Sequence, residues 1–296
     1  MPRRNATENA FLGALLGAAI GDALGAPVDG LATDEARARF GALPGYLPRP
    51  DAEPGQPATG EITDKTETLL CIVESLTTND GMLDPANINA RLVFLREGPS
   101  QRWMSDATIH GIEDAAGRDG LVSEEVVSAP EASVAVRGIA VGLLHAVGAE
   151  NDALLATEAG IVTRLTHGGE AAAWPTELVA RATAAAARSG ELPMDLASRP
   201  PASGPVERAV CRAVERVRTS RTFEEAVLAI VGDGGEASAL GAIAGGVAGA
   251  RFGASGIPQQ LIDGLDARIY LSMAAPWFYR TVLRRSGTVL DLRVIE

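Results

Sequence analysis

The chain has 296 residues, enough for one large domain or two small ones, and 46% of them are apolar, so a sizeable core can be buried. Aromatic residues make up only 4% while glycine is abundant, a mix that favours closely packed small-residue helices over a β-sandwich. A net charge of −12 leaves no basic surplus for phosphate backbones, which argues against nucleic-acid binding.

At the start of the chain, Met1-Pro2-Arg3-Arg4 is basic, but polar residues follow it instead of the apolar core of a leader. No uncharged apolar run reaches membrane-spanning length, so a cytoplasmic protein with no membrane partner is expected. Thr7 is placed to cap a helix that runs from Ala10 to a stop at Gly25. Gly13, Gly17 and Gly21 recur every four residues and give that helix one smooth face. Asp22 lies in the same apolar helix and must find partners, because an unpaired buried carboxylate is costly. Ala26 to Gly30 reads as a turn that presents Asp29.

Residues 44–60 are rich in proline and glycine and read as an irregular loop. Next comes Gly60-Glu61-Ile62-Thr63-Asp64-Lys65-Thr66-Glu67, opening a helix that runs to about Leu76. Such an oxygen-rich helix start suits a hard cation or a ribose diol. Lys65 stands out, since an ammonium takes a place suited to a metal-binding carboxylate. Further helical patterns cover about 86–97, 104–116, 132–148, 151–165 and 168–189. Others cover about 206–218, 222–232, 236–251 and 267–284, with breaks at Pro200-Pro201 and Gly204-Pro205. Residues 288–294 form a weak strand candidate. The expected fold is an all-α orthogonal multi-helix bundle in a single domain, 1–296. Cys71 and Cys211 are expected as buried free thiols. His110 and His145 are expected in core or surface roles, and Trp103, Trp174 and Trp277 in core or rim packing, with one of the three a candidate to stack on a base.

A second polar stretch, Gly234-Gly235-Glu236-Ala237-Ser238-Ala239, opens a small-residue helix, where the helix dipole favours the acid at Glu236. Together the pieces resemble the ADP-ribosylglycohydrolase family. Gly13 to Pro27 is similar to the family's opening helix, and Thr63-Asp64-Lys65-Thr66 falls on its Thr-Asp-Asp-Thr. Gly234 to Gly245 falls on its Gly-Gly-Asp-Thr-Asp-Thr and the helix after it, and Thr166-His167-Gly168 resembles its central Thr-His element. The resemblance implies a compact all-α domain with a cleft in which two Mg²⁺ ions orient a ribose diol. It also implies hydrolysis of a glycosidic bond at the anomeric carbon, with Asp29 on the position of an acid near that bond.

The chain departs from the family at the proposed ligands. Lys65 replaces the second aspartate, while Glu236, Ser238 and Ala239 stand where the last motif has two aspartates and a threonine. A two-metal site is therefore not expected. What remains is a single Mg²⁺ held by Thr63, Asp64 and Glu236, or no metal at all with the Lys65 ammonium in place of a cation. The segment 129–138 has also lost the family's glycines and gained Glu131, which disfavours a diphosphate. A ribosylated small molecule, with or without one phosphate, is the expected substrate. Ser133 and Arg137 are candidate phosphate contacts, and His167 is a candidate to face the cleft.

These residues lead to an expected N-glycoside hydrolase that cleaves the bond from ribose C1 to nitrogen. Asp29 or Glu236 would act as general base, Asp64 would position ribose or water, and Ser238 and Thr63 would contact substrate. One alternative is a catalytically silent member that binds ADP-ribose or a protein partner. Another is an ADP-ribosyl-protein hydrolase.

Overall fold

In a computed structural model that describes residues 6–40, 45–47, 60–194, 196 and 204–288, the regular elements are helical. An isolated parallel bridge between Gly60 and Leu265 is the one β-type pairing among these residues. The first helix, α1 (Glu8–Gly25), begins where the Thr7 hydroxyl accepts the Ala10 amide. α1 ends at Gly25 as expected, and a 3₁₀ turn, Ala26–Val28, follows and delivers Asp29 at its end.

Beyond that turn lie α2 (Thr33–Phe40), α3 (Asp64–Thr78), α4 (Pro85–Arg96) and α5 (Asp106–Ala116). The pattern expected to be one helix over 132–148 is two, α6 (Ala132–Ala135) and α7 (Gly138–Leu144), broken at Val136-Arg137. They are followed by α8 (Asp152–Arg164), α9 (Glu170–Ser189), α10 (Pro205–Thr219) and α11 (Phe223–Val231). The chain closes with α12 (Ala237–Phe252), α13 (Gln259–Asp263) and α14 (Arg268–Arg285). The Pro200-Pro201 break, most of the 44–60 loop and the strand candidate beyond Thr288 lie outside the described residues.

The most extensive contact between two helices joins α1 to α12, which run antiparallel through the core. Their glycines meet in pairs. A β-carbon on Gly17 would lie 2.1 Å from the Gly245 carbonyl oxygen, and one on Gly21 would lie 1.9 Å from that of Gly241. The same holds at Gly13 against Gly249 and at Gly25 against Ala237. Backbone therefore rests on backbone, and both helices are buried almost from end to end. Residues 8–28 have the length and mean hydropathy, 1.6, of a membrane span, but 89% of that window is buried inside the protein.

This packing also sets the polarity of the molecule. The C-terminal end of α1 lies beside the N-terminal end of α12, so Asp22, Asp29, Glu236 and Ser238 come to one end of the pair. The two cysteines are free and half-buried, short of the full burial expected, and burial pushes the Cys71 thiol up to about 12. Trp277 is exposed and so takes no core position. His145 does pack: its Nε2 lies 2.6 Å from Glu158, which also binds Arg285 at 2.6 Å.

Because the Gly17 site has backbone on its far side, Gly17→Ala is expected to destabilise the protein by about 1–3 kcal/mol or more, with an unchanged m-value in urea unfolding. Gly160, where an added β-carbon meets nothing within 4 Å, is the control, and Gly160→Ala is expected to cost nothing.

Candidate functional site

The polar site begins with Asp22, which is completely buried. Its Oδ2 accepts the Thr63 amide at 2.8 Å, the Thr66 amide at 3.3 Å and the Thr66 hydroxyl at 2.6 Å. Its Oδ1 accepts the Thr63 hydroxyl at 2.7 Å. The carboxylate thus sits on the N-terminus of α3, where orphan amides and the helix dipole favour an anion. Burial still raises its pKa, against those hydrogen bonds and the field of Lys65.

Asp64 and Lys65 follow on the first turn of α3. The Lys65 Nζ lies 2.8 Å from Asp64 Oδ1 as an ion pair. The same ammonium donates to the Trp103 carbonyl at 3.4 Å, and only 11% of the Lys65 side chain is exposed. Burial alone would lower its pKa, but Asp64, Asp22 and Asp29 outweigh it and hold the ammonium above its ordinary value. The Lys65 side chain is thus held inside the protein rather than reaching out to solvent. Asp64 itself is pushed up to about 6 by burial, against Lys65 and Thr63.

The N-termini of α12 and α6 supply the rim. Asp29 accepts the Ser238 amide at 2.8 Å and the Ser238 hydroxyl at 2.5 Å, so it caps α12 with both oxygens. Glu236 as a whole is exposed, yet its Oε2 is turned onto the Ala132 amide at 3.1 Å, and partial burial there raises its pKa. Glu131 and Asp29 push it the same way, while Lys65 opposes them. Glu131 behaves oppositely. Burial would raise it, but His167, Ser105 and Ser133 together hold it below the usual carboxylate range. The Ser105 and Ser133 hydroxyls donate to its Oε2 at 2.8 and 3.1 Å, and His167 Nε2 lies 3.5 Å from its Oε1.

Most of the residues expected in the site therefore converge: Asp29, Thr63, Asp64, Lys65, Ser133, His167, Glu236 and Ser238. Several differ in what they face. Ser238 is buried and spent on Asp29. His167 has no exposed surface, binds the Thr166 hydroxyl through Nδ1 at 2.9 Å, and meets the rim from beneath through Glu131. Arg137 is 3% exposed, with its Nη1 on the Val162 carbonyl and its Nε without a hydrogen-bond partner. Burial pushes its pKa down to about 10. Its guanidinium feels the field of Glu131 and Asp64 from the interior and is not placed as a surface phosphate contact. Glu131, with Ser105 behind it, is the site residue missed in the sequence, where it counted only as charge against a diphosphate. A cleft of about 390 Å³ adjoins the rim along Thr33, Arg212, Asp233, Gly235 and Glu236.

The donor set fits a divalent ion poorly. The Thr63 hydroxyl donates to Asp22 and accepts the Lys65 amide, and Asp64 Oδ1 already faces an ammonium. Glu236 Oε2 is on a backbone amide. Among the described residues no three His, Cys, Asp or Glu side chains are grouped to hold an ion.

Fold and site together define an all-helical protein whose polar centre lies between the N-termini of three helices. Its sequence matches the pattern of the ADP-ribosylglycohydrolase family over residues 3–222 and 217–287, and the chain belongs to that family. It is also similar to an uncharacterized protein of Archaeoglobus fulgidus, 29% identical over 297 residues that span 87% of this chain and 92% of that one. Among solved structures it resembles one described as an ADP-ribosylglycohydrolase-related protein complex. The TM-score is 0.73 and the identity 26%, over 93% of this chain and 98% of the other. The fold is the all-α one expected, and the family supports a glycohydrolase.

The raised Asp64 has a consequence for folding. Its unfolded value is 3.8 and its folded value about 6, so between these pH values the folded protein keeps a proton that the unfolded chain has lost. This group's contribution to stability is full below about pH 4 and is lost as pH rises through about 6. In urea unfolding, Asp64→Asn is expected to gain stability relative to wild type between about pH 4.5 and about pH 7. A constant difference across that interval would show that Asp64 ionises normally.

Proposed function

We propose that this protein is a divergent N-glycoside hydrolase that cleaves the ribose C1–N bond of a ribosylated small molecule. The observation that carries this reading is the unequal setting of two neighbouring rim carboxyls: Glu131 accepts the Ser105 and Ser133 hydroxyls and faces His167, which lower its pKa, while Glu236 rests on the single Ala132 amide, and burial with Glu131 and Asp29 nearby raises its pKa. Carboxyls driven apart in this way supply a base and an acid at one pH.

In this mechanism Glu236 gives its proton to the departing nitrogen as the C1–N electron pair leaves with it. The ribose passes through an oxocarbenium-like state, whose positive charge the surrounding carboxylates favour. Glu131 takes a proton from the water whose oxygen bonds to C1. Proton exchange with solvent then restores both carboxyls. Asp29, read in the sequence as a candidate base, instead fixes the N-terminus of α12 through Ser238 and so aims Glu236. Lys65 offers ammonium protons to ribose hydroxyls and keeps Asp64 ionised beside them, the electrostatic role a metal ion would otherwise fill. The crowd of carboxylates at the rim favours substrates without a diphosphate.

A specific observation also favours a second reading, a silent binding protein: Ser238 and Thr63 are fully committed to holding other groups and offer substrate little. Purified protein incubated with ribosylated bases and ribosylated amino-acid side chains separates the two. Release of free ribose is expected, reduced by about 10²–10⁴-fold in kcat by Glu131→Gln and by Glu236→Gln. Saturable binding by calorimetry with no ribose released from any of these compounds would establish the silent reading.

A further inference from the structure

The cleft beside Glu236 holds one charge that the fold leaves unspent. Its apolar wall comes from Val206 and Ala209 on α10, Ile230 on α11 and Leu240 on α12. Positions 205, 209 and 212 fall on one face of α10, so that face is apolar until it ends in Arg212. The polar groups of the other wall are already engaged. The Thr33 hydroxyl donates to the Asp233 carbonyl at 2.7 Å. The Gly235 amide donates to the Leu31 carbonyl at 2.9 Å, and the Gly235 carbonyl accepts the Gly30 amide at 2.8 Å. Asp233 has Arg37 at 3.9 Å, and Glu236 holds the Ala132 amide. Arg212 has no hydrogen bond or ion pair among the described residues. In a chain where acids outnumber bases 38 to 26, a guanidinium left without a carboxylate is open to one that the protein does not supply.

The role of the cleft rests on the hydrolase reading above, in which Glu236 gives its proton to the departing nitrogen. Glu236 also lines this cleft, so a leaving group held at that carboxyl extends into it. We propose that the cleft is the leaving-group subsite and takes a small nitrogen heterocycle bearing a carboxylate, with the carboxylate on Arg212 and the ring against Val206, Ala209, Ile230 and Leu240. The forked guanidinium matches the two oxygens of a carboxylate. A carboxylate brings one negative charge to a place where Asp233 and Glu236 already stand, and a phosphate monoester would bring about two. The carboxylate is the smaller burden.

The hollow of about 430 Å³ along α8 and α9 offers no such opening. There Arg181 is paired with Asp152 and Glu177, and Arg188 is held by the Gly148 and His145 carbonyls with Glu150 beside it.

Imidazole-4-carboxylate and its neutral counterpart imidazole-4-carboxamide, each titrated calorimetrically into the full-length protein, test the subsite without any catalytic step. The carboxylate is expected to bind about tenfold more tightly, and the difference is expected to vanish in Arg212→Gln. Ala209→Phe fills the apolar wall and is expected to abolish binding of both compounds while circular dichroism stays unchanged. A wild type that binds neither compound, or both equally, would overturn the proposal. So would a preference that survives Arg212→Gln, or binding that survives Ala209→Phe. Inorganic phosphate that displaces the carboxylate at lower concentration would overturn it too, by assigning Arg212 to phosphate. The N-ribosyl derivatives of the two compounds then place the subsite in the reaction, with kcat/KM expected to favour the carboxylate by about tenfold in wild type and neither in Arg212→Gln. Ribose released from both at equal rates in wild type would overturn the subsite and leave the hydrolase reading standing. Tight carboxylate binding through Arg212 with no ribose released from any ribosylated compound would sink the hydrolase reading and the leaving-group role with it, leaving an anion site alone.

Discussion

The backbone contact between α1 and α12 is the constraint on which the rest of the molecule depends. Two helices can lie this close only where the side chains at the crossing are absent or minimal, and three glycine pairs with Gly25 against Ala237 provide that along the overlap. Their antiparallel run places the end of one helix against the start of the other. Asp22 and the turn that carries Asp29 come from α1, while Glu236 and Ser238 come from α12. Asp22 then fastens α3 through four hydrogen bonds, and Asp29 fastens α12 through two. The site is thus a set of helix N-termini tied to carboxylates, standing on a spine without side chains.

The electrostatics follow from this layout. Helix N-termini attract anions, and the fold brings three of them together, so carboxylates gather from all sides. Left alone they would repel one another and resist burial. Lys65 relieves that strain from within, at 2.8 Å from Asp64 and in the field of Asp22 and Asp29. Its placement makes the ammonium part of the floor. The rim carries a contrast: hydroxyls and His167 hold Glu131 below the usual carboxylate range, while burial and the neighbouring Glu131 and Asp29 raise Glu236 against the Ala132 amide and the Lys65 ammonium. Chemistry that needs an acid and a base is matched to that contrast.

Much of this was legible from residues near one another in sequence. The glycines at every fourth position marked a close-packed face, Thr7 marked a helix start, and Asp22 in an apolar helix announced that it needed partners. The partners themselves, Thr63 and Thr66, lie more than forty residues away, and local pattern contains no distance of that kind. The break at Val136-Arg137 was hidden because the apolar spacing continues across it. Arg137 shows the same difficulty from the other side. Its neighbours Val134, Ala135, Val136 and Ile139 are all buried, and this was the available sign that its guanidinium belonged to the interior. Glu131 was seen and misjudged. An acid at the start of a short helix, with Ser133 two residues on, could have been read as an anchored carboxylate, but Ser105 and His167 reach it only through the fold. The exposure of Ile269, Met273 and Trp277 on α14 could not be read either, since they have the spacing of a buried face.

On the proposed reading, the internal ammonium of Lys65 fills the place of a cation in this site. Calorimetric titration of Mg²⁺ into the purified protein tests it most directly, with Lys65→Asp measured beside the wild type. No saturable binding to the wild type at millimolar Mg²⁺ is expected, with a site gained in Lys65→Asp. Stoichiometric Mg²⁺ binding to the wild type, lost in Asp64→Asn, would contradict it.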